Sequence, residues 1–284
     1  MAGMLTVVGT PIGNLNDLSP RAADALRECD FIAAEDTRVT LKLLNHLGIK
    51  KPMVSYFEHN KAERGDMICD RLASGENGVI VTDAGMPCIS DPGEQLVAQC
   101  AQRGIPVTVV PGPCALIAAL AISGLPTGRF TFEGFLSVTK KSRRAHLDGL
   151  AQEMRTMIFY EAPHKLAATL ADLCETFGAD RRISLVRELT KIHEEVIRTT
   201  LGEACARFNP QSGEPPRGEF VLIVAGADPV PEQNGTPEEA VALARRYRDA
   251  GASASDAARR AAAETGFRKG ELYRALTQDD PEKA

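Results

Sequence analysis

The sequence has no tryptophan, only four tyrosines and five histidines, and no tract of 18 apolar residues among its 284. Without such a tract no membrane-spanning helix is expected. The seven cysteines (Cys29, Cys69, Cys88, Cys100, Cys114, Cys174 and Cys205) are odd in number and contain no C-x-x-C pair. That argues against a disulfide framework and against zinc, and fits a reducing cytoplasm. No ligand-spaced cluster of His, Cys or Asp argues for any other metal. Nor is there an excess of positive charge. Lys and Arg number 33 against 38 Asp and Glu, a net charge of −5 that excludes indiscriminate coating of nucleic acid. The opening MAGMLTVVGTPIG has no basic n-region and no small-residue cleavage site, so it reads as a first strand and not as a signal peptide.

What is present is ordinary for a globular chain: 44% apolar and 25% charged residues, and length for roughly two domains. Through residue 120, apolar runs at 4–9, 31–34, 52–57, 78–82 and 105–110 alternate with helical patterns at 20–29, 39–47, 61–74, 91–104 and 113–123. Strands apolar on both faces, each followed by a helix, predict a parallel sheet. The rhythm then changes. Strands are expected at 129–135, 156–160, 182–189, 194–201 and 219–224, with a helix at 163–177. The third and fourth are joined by too few residues for a parallel crossover, so they should be antiparallel. A Pro-rich, polar linker at 228–236 leads to helices at 237–250, 253–265 and 270–276. The fold class is therefore α/β, with an α/β domain at 1–118, a mixed α/β domain at 119–228 and a small helical segment at 236–284.

Three loops follow the carboxyl ends of strands, where open α/β sheets bind ligands. The first, Gly9-Thr10-Pro11-Ile12-Gly13-Asn14, combines two glycines and a proline in a tight turn that lets backbone N–H groups approach a ligand. It lacks G-x-G-x-x-G spacing, and a plain βα turn is an equal reading. The second, 83–93 (DAGMPCISDPG), is longer than the usual span of about two to six residues. Asp83 can accept hydrogen bonds from an amine or a ribose, or cap its own loop. Asp91 reads as the cap of the next helix. In the third, PGPCA at 111–115, Gly112 admits close approach and Pro113 reads as the first helical residue. Cys114 has no neighbouring base and Ser90 no G-x-S-x-G context, so neither reads as a nucleophile. The clusters Glu35-Asp36-Thr37-Arg38 and Glu58-His59-Asn60 end the second and third strands and can rim a polar substrate or serve as caps and surface ion pairs. Glu161 follows its strand and Lys191 lies between two. Each can face a cleft or be a solvated loop charge.

Taken together, TPIGNL (10–15), AAEDTR (33–38), EHN (58–60), DAGMPCISDPG (83–93), PGPCA (111–115), FYEAPH (159–164), RELTK (187–191) and GEFVLIV (218–224) resemble the tetrapyrrole methylase family of S-adenosylmethionine-dependent methyltransferases. Within it they are more similar to the branch that methylates bacterial small-subunit ribosomal RNA. Any one segment is weak; eight in one order over residues 4–226 are specific. Met86 and Cys88 stand where Thr and Leu are expected, at positions read as backbone-dominated. The resemblance implies two α/β lobes with a cofactor cleft between them and a cytoplasmic homodimer. It also implies methyl transfer to the ribose 2′-OH of a decoding-region cytidine of 16S rRNA in the 30S subunit. It places S-adenosylmethionine against Pro11, Asp83, Gly85, Met86, Ile89, Cys114, Ala115 and Ala162, and more loosely near Leu189 and Gly218. Methylation of a tetrapyrrole precursor, or a non-catalytic ribosome-assembly module on the same fold, are the alternatives.

A ribose hydroxyl is a poor nucleophile, so a proton acceptor within about 3 Å is useful. His59, Glu58, Glu161 and Lys191 are the candidates, and none is forced. Arg38 and Asn60 can grip phosphate or ribose. Two stretches carry local charge of +4 despite the negative total: 129–146, with Lys140, Lys141, Arg143 and Arg144, and 245–274. Phosphate contacts depend on such local charge, so both are expected to hold RNA.

Overall fold

The computed structural model describes residues 2–209, 211, 216–228 and 234–278. They form two units, one ending at Ala227 and one starting at Asp228. Most of the expected linker, and residues 279–284 of the expected helical segment, lie outside the described residues.

The larger unit opens with five strand–helix repeats. Strands β1 (Leu5–Val8), β2 (Phe31–Ala34), β3 (Met53–Ser55), β4 (Gly78–Val81) and β5 (Val107–Val110) alternate with α1 (Pro20–Glu28), α2 (Thr37–His46), α3 (Lys61–Ala73), α4 (Gly93–Gln102) and α5 (Ala115–Ile122). The strands form a parallel sheet in the order β3-β2-β4-β1-β5. Burial on both faces explains the apolar character of β1, β2 and β4, while the outer strands β3 and β5 are more open. Leu5, Val7, Phe31 and Ile80 pack with Ile68 and Leu72 of α3 and Leu96 of α4. Val8, Ile32, Ala34 and Val81 pack with Leu26 of α1 and Leu43 and Leu44 of α2. Cys29, Cys69 and Cys100 are buried in these layers.

A second sheet follows, built from β6 (Phe130–Phe135), β7 (Thr156–Glu161), β8 (Arg182–Arg187), β9 (Glu195–Thr200) and β10 (Phe220–Val224), in the order β6-β7-β10-β8-β9. β6 and β7 are parallel; the other pairs are antiparallel, including the closely connected β8 and β9. One face carries α7 (Leu166–Phe177) over Met157, Phe159, Leu185 and Leu222. The other carries α5, whose Leu116, Ala119 and Leu120 lie on Ile158, Val186, Val221 and Ile223.

Three expectations change. The helix read from Pro113 starts at Ala115, with Cys114 as its N-cap, so the proline precedes the helix. A helix α6 (Lys140–Gly149) occupies the basic stretch, where a single buried residue, Leu147, leaves no apolar period to detect. It is held instead by Arg143 to Asp172 at 2.5 Å and by Arg144 to Glu175, both partners on α7. A further helix, α8 (Leu201–Arg207), begins at the residue where the fourth strand of this sheet was expected to end, in a stretch with no expected element. Its start is fixed by a capping box between Thr200 and Glu203.

The smaller unit contains α9 (Pro237–Asp249), α10 (Ala254–Thr265) and α11 (Lys269–Gln278). A capping box between Thr236 and Glu239 starts α9, and left-handed Gly266 (φ 73°) ends α10. Alanines 240, 244, 257, 258 and 261 let the helices approach closely around Phe267, Leu272 and Leu276. No helix of the described residues is long and apolar enough to cross a membrane.

Candidate active site

The carboxyl ends of β1, β2, β4 and β5 meet one edge of the second sheet around a cavity of about 560 Å³. Register defines that edge: Phe135 pairs with Tyr160 across β6 and β7, and Phe220 pairs with both Glu161 and Arg187. Asp83, Gly85, Met86, Ile89, Cys114, Ala115, Glu161, Ala162, Leu189 and Lys191 all border the cavity. Pro11 does not; its neighbour Ile12 does.

The three loops of the first lobe form one piece. Thr10 and Gly85 exchange backbone hydrogen bonds of 2.9 and 3.1 Å, and the Thr10 hydroxyl donates to the Thr82 carbonyl at 3.2 Å. Gly9 and Gly112 touch backbone to backbone: a Cβ on Gly112 would fall 2.8 Å from the Gly9 Cα. Met86 is not a backbone-only position, because its Sδ accepts the Gly112 N–H at 3.3 Å. The Asp91 carboxylate takes the N–H groups of Cys88 and Gly93 on Oδ1, at 3.0 and 2.7 Å. It thus braces the loop against the first residue of α4, but the N-cap position itself is Pro92 and not, as expected, Asp91. Its Oδ2 is buried without a partner among the described residues.

Among the described residues the non-glycine positive-φ positions are Cys88 (71°), Ser90 (64°), Glu188 (50°) and Thr190 (66°). All four lie on the two loops that face each other across the cavity. Strain of this kind persists only where surrounding structure holds it, and it gathers at ligand sites. In the second of these loops the Lys191 ammonium bonds Glu188 at 2.8 Å and Glu219 at 2.9 Å. Burial pulls its pKa down, but the two carboxylates outweigh burial and hold it above the usual value. Gly13 lies against the Lys191 stem, joining the first loop to the second lobe.

Asp83 at the floor is backed by a relay of contacts whose outer members, Asp36 and the expected substrate residue Arg38, do not border the cavity. Arg38 clamps Asp36 (Nη2–Oδ2 2.6 Å), and that hydrogen bond, aided by the Arg38 N–H, lowers Asp36 to about 2. The Asp36 N–H in turn donates to Asp83 Oδ1 at 3.0 Å. Burial nevertheless raises the Asp83 pKa. Glu35 accepts the Thr82 hydroxyl at 2.6 Å beside it.

Several expected substrate residues stand elsewhere. β3 is the outer strand at the end of its sheet away from β5, and the turn after it does not border the cavity. Asn60 staples that turn, accepting the Phe57 N–H at 2.8 Å and donating to the Ser55 carbonyl at 3.1 Å. Glu58 pairs with Lys61, and His59 stands edge-on to Phe57. Arg143 and Arg144 are tied to α7, whereas Lys140 and Lys141 are exposed at the start of α6. Glu161 is the last residue of β7 and only 4% exposed, not a loop charge. It accepts the Ala162 N–H at 2.8 Å and the Thr169 hydroxyl at 2.5 Å. Gly218 (φ 88°) stays outside the lining and makes room for the Glu188 side chain.

Phe135, Tyr160, Val186, Glu219 and Phe220 line the cavity without having been expected there. Glu219 alone carried a signal, a carboxylate opening a wholly apolar strand. The family model for Tetrapyrrole (Corrin/Porphyrin) Methylases matches residues 4–205.

The chain belongs to the tetrapyrrole methylase family.

Within that family it is 47% identical over 271 residues to the ribosomal RNA small subunit methyltransferase I of Synechocystis, covering 95% of this chain and 96% of the relative. The Thermotoga maritima protein of the same name is 46% identical over 226 residues, 80% of this chain and all of the relative. Among solved structures, uroporphyrin-III C-methyltransferase from Thermus thermophilus superposes with a TM-score of 0.56 at 19% identity, over 78% of this chain and 94% of that one. The methyltransferase CobJ gives 0.59 at 20% identity, over 80% and 95%. These two establish the two-lobed methylase fold.

Proposed function

We propose that the chain is an S-adenosylmethionine-dependent methyltransferase acting on small-subunit ribosomal RNA, at the ribose 2′-OH of a decoding-region cytidine of 16S rRNA. The observation that carries this reading is the 47% identity over nearly the full length of both chains to a ribosomal RNA small subunit methyltransferase. The tetrapyrrole enzymes share only 16–20% identity and speak for the fold alone.

The residues present suit the cofactor. The cavity volume falls in the range of about 300–1,000 Å³ that holds cofactor-sized ligands. Glu35, Asp83, Asp91, Glu161 and Glu219 border it against Lys191 as the cation, a balance that favours a positively charged guest. The orphaned Asp91 Oδ2 has capacity for one more donor. Gly85, Met86, Cys114 and Ala115 offer backbone and small side chains for close approach.

Bound S-adenosylmethionine supplies an already activated sulfonium methyl, so the chain has to position the two reactants and exclude water. The floor of fused loops and the opposing edge of the second sheet do this. Lys191, held cationic by its two carboxylates, has no lone pair with which to accept a proton. It serves to stabilise negative charge on the ribose oxygen or a neighbouring phosphate. Of the four base candidates, Glu161 is the carboxylate at the cavity that retains lone pairs beyond its two bonds.

The partner in this reading is the 30S subunit or its RNA, in the cytoplasm. The smaller unit suits it: α10 and α11 are joined by three residues with a left-handed glycine, the connection used in nucleic-acid-binding helix pairs. The chain would act as a homodimer. Val107 and Val109 on edge strand β5, and Ile117 and Ile122 on α5, are exposed apolar side chains that a second copy would cover. Light scattering should read twice the mass of one chain, and Val109→Lys with Ile117→Lys should return it to one.

The deciding experiment offers radiolabelled methyl donor to 30S subunits and naked 16S rRNA that lack the modification, and to a porphyrin precursor. Label is expected in the RNA, at a ribose. Label in the porphyrin alone would overturn the reading.

A further inference from the structure

Phe135 ends β6 at the cavity with 58% of its surface exposed. An aromatic side chain left that open does not contribute its area to the core. Its orientation is imposed. Phe132 and Phe135 are three apart, so in a regular strand they would point to opposite faces. The register between β6 and β7 shifts between Phe132 and Gly134, where Gly134 adopts φ 64°. This bulge resets the alternation and aims both rings at Tyr160, at centroid distances of 5.0 and 5.5 Å. Tyr160 is itself fixed, since its hydroxyl accepts the Leu116 N–H at 3.1 Å. A backbone irregularity and an anchored neighbour thus hold one exposed ring at the mouth of the reaction cavity.

The segment that follows points to the same guest. Lys140 and Lys141 open α6, the end of a helix where cations are disfavoured by the macrodipole. The Thr139 side chain caps none of the free N–H groups there. Both lysines are exposed, and among the described residues neither has an ion pair. An approaching anion would relieve all three conditions. An exposed ring followed closely by cations is the pattern by which proteins hold single-stranded nucleic acid, stacking a base and neutralising its phosphates.

We propose that Phe135 is the stacking platform for the base of the target nucleotide, with Lys140 and Lys141 on an adjoining phosphate. This rests on the RNA reading above. Phe135 is then a positioning residue: it presents the ribose to the cavity and takes no part in proton transfer.

The test uses the full chain, 30S subunits as substrate and calorimetry with S-adenosylmethionine. Phe135→Ala should lower kcat/KM for 30S by about 10- to 100-fold while cofactor affinity stays unchanged. Phe135→Trp should remain within a few-fold of the parent. Phe135→Leu, apolar but without a π face, should fall with the alanine variant. Lys140→Ala with Lys141→Ala should flatten the salt dependence of RNA binding. The proposal fails if Phe135→Ala matches the parent, if Phe135→Leu restores activity, or if cofactor affinity drops in parallel, which would make the ring a wall of the cofactor site. A parent enzyme that leaves 30S unlabelled sinks the RNA reading, and the platform with it.

Discussion

Gly112→Ala should bind S-adenosylmethionine about 10- to 100-fold more weakly than the parent, the equivalent of the ~1–3 kcal/mol that overpacking a tight contact costs. The added methyl would sit 2.8 to 2.9 Å from the Cα, C and O atoms of Gly9. These are backbone atoms, and they have no rotamer with which to step aside. Gly9 is tethered by its N–H to the Val110 carbonyl at 3.3 Å, and its neighbour Thr10 by the paired bonds to Gly85. Relief therefore requires moving the first or third loop, and the second loop moves with it. Calorimetry gives the affinity, and thermal unfolding shows whether the fold survives. Parental affinity in Gly112→Ala would mean that these loops are not the cofactor floor.

Acidification should weaken cofactor binding from a pH above that at which an ordinary aspartate titrates, and Asp83 should be the cause. Burial raises its pKa, with Glu35 and Asp36 adding to the shift and the Asp36 N–H and Arg38 opposing it. A cationic guest favours the ionised form, so affinity falls as the proton returns. Asp83→Asn keeps an acceptor for the Asp36 N–H but removes the charge. It should bind roughly 10-fold or more weakly and lose this pH dependence. Stability should move the other way. With the folded pKa above the unfolded one, the stabilising contribution is complete below the unfolded pKa and lost as pH rises through the folded one. At neutral pH the ionised group is a burden, so Asp83→Asn should melt no lower than the parent. A variant that loses stability and affinity together would mark Asp83 as structural. One that keeps its affinity would remove it from the site.

The contrast between the two lobes shows what the sequence could carry. In the first, each strand is apolar on both faces and each helix has its own stop, such as Gly48 after α2 and Gly104 after α4. The loops after β1, β4 and β5 could therefore be placed from local signals. In the second, β10 inserts between β7 and β8, an order that no local signal records. Phe135, Tyr160 and Glu219 reach the cavity only through that order and through the bulge in β6. Helix α6 escaped because ion pairs to α7 replace the apolar stripe that a periodic reading needs. Glu58, His59 and Asn60 misled for a related reason. They do follow a strand of the same sheet, but β3 is the outer strand remote from β5, whose helix α5 carries the second sheet.

The position of β10 also bears on how the chain is made. It is the last strand to emerge during synthesis, yet it fills the middle of its sheet, with Phe220 to Val224 pairing on both sides. The first lobe can assemble while translation continues. The second waits with the facing edges of β7 and β8 unpaired until residue 224 is free of the exit tunnel. A chain arrested a few residues short would carry the entire cofactor floor, lack the opposing wall, and present two open apolar strand edges to whatever it meets first.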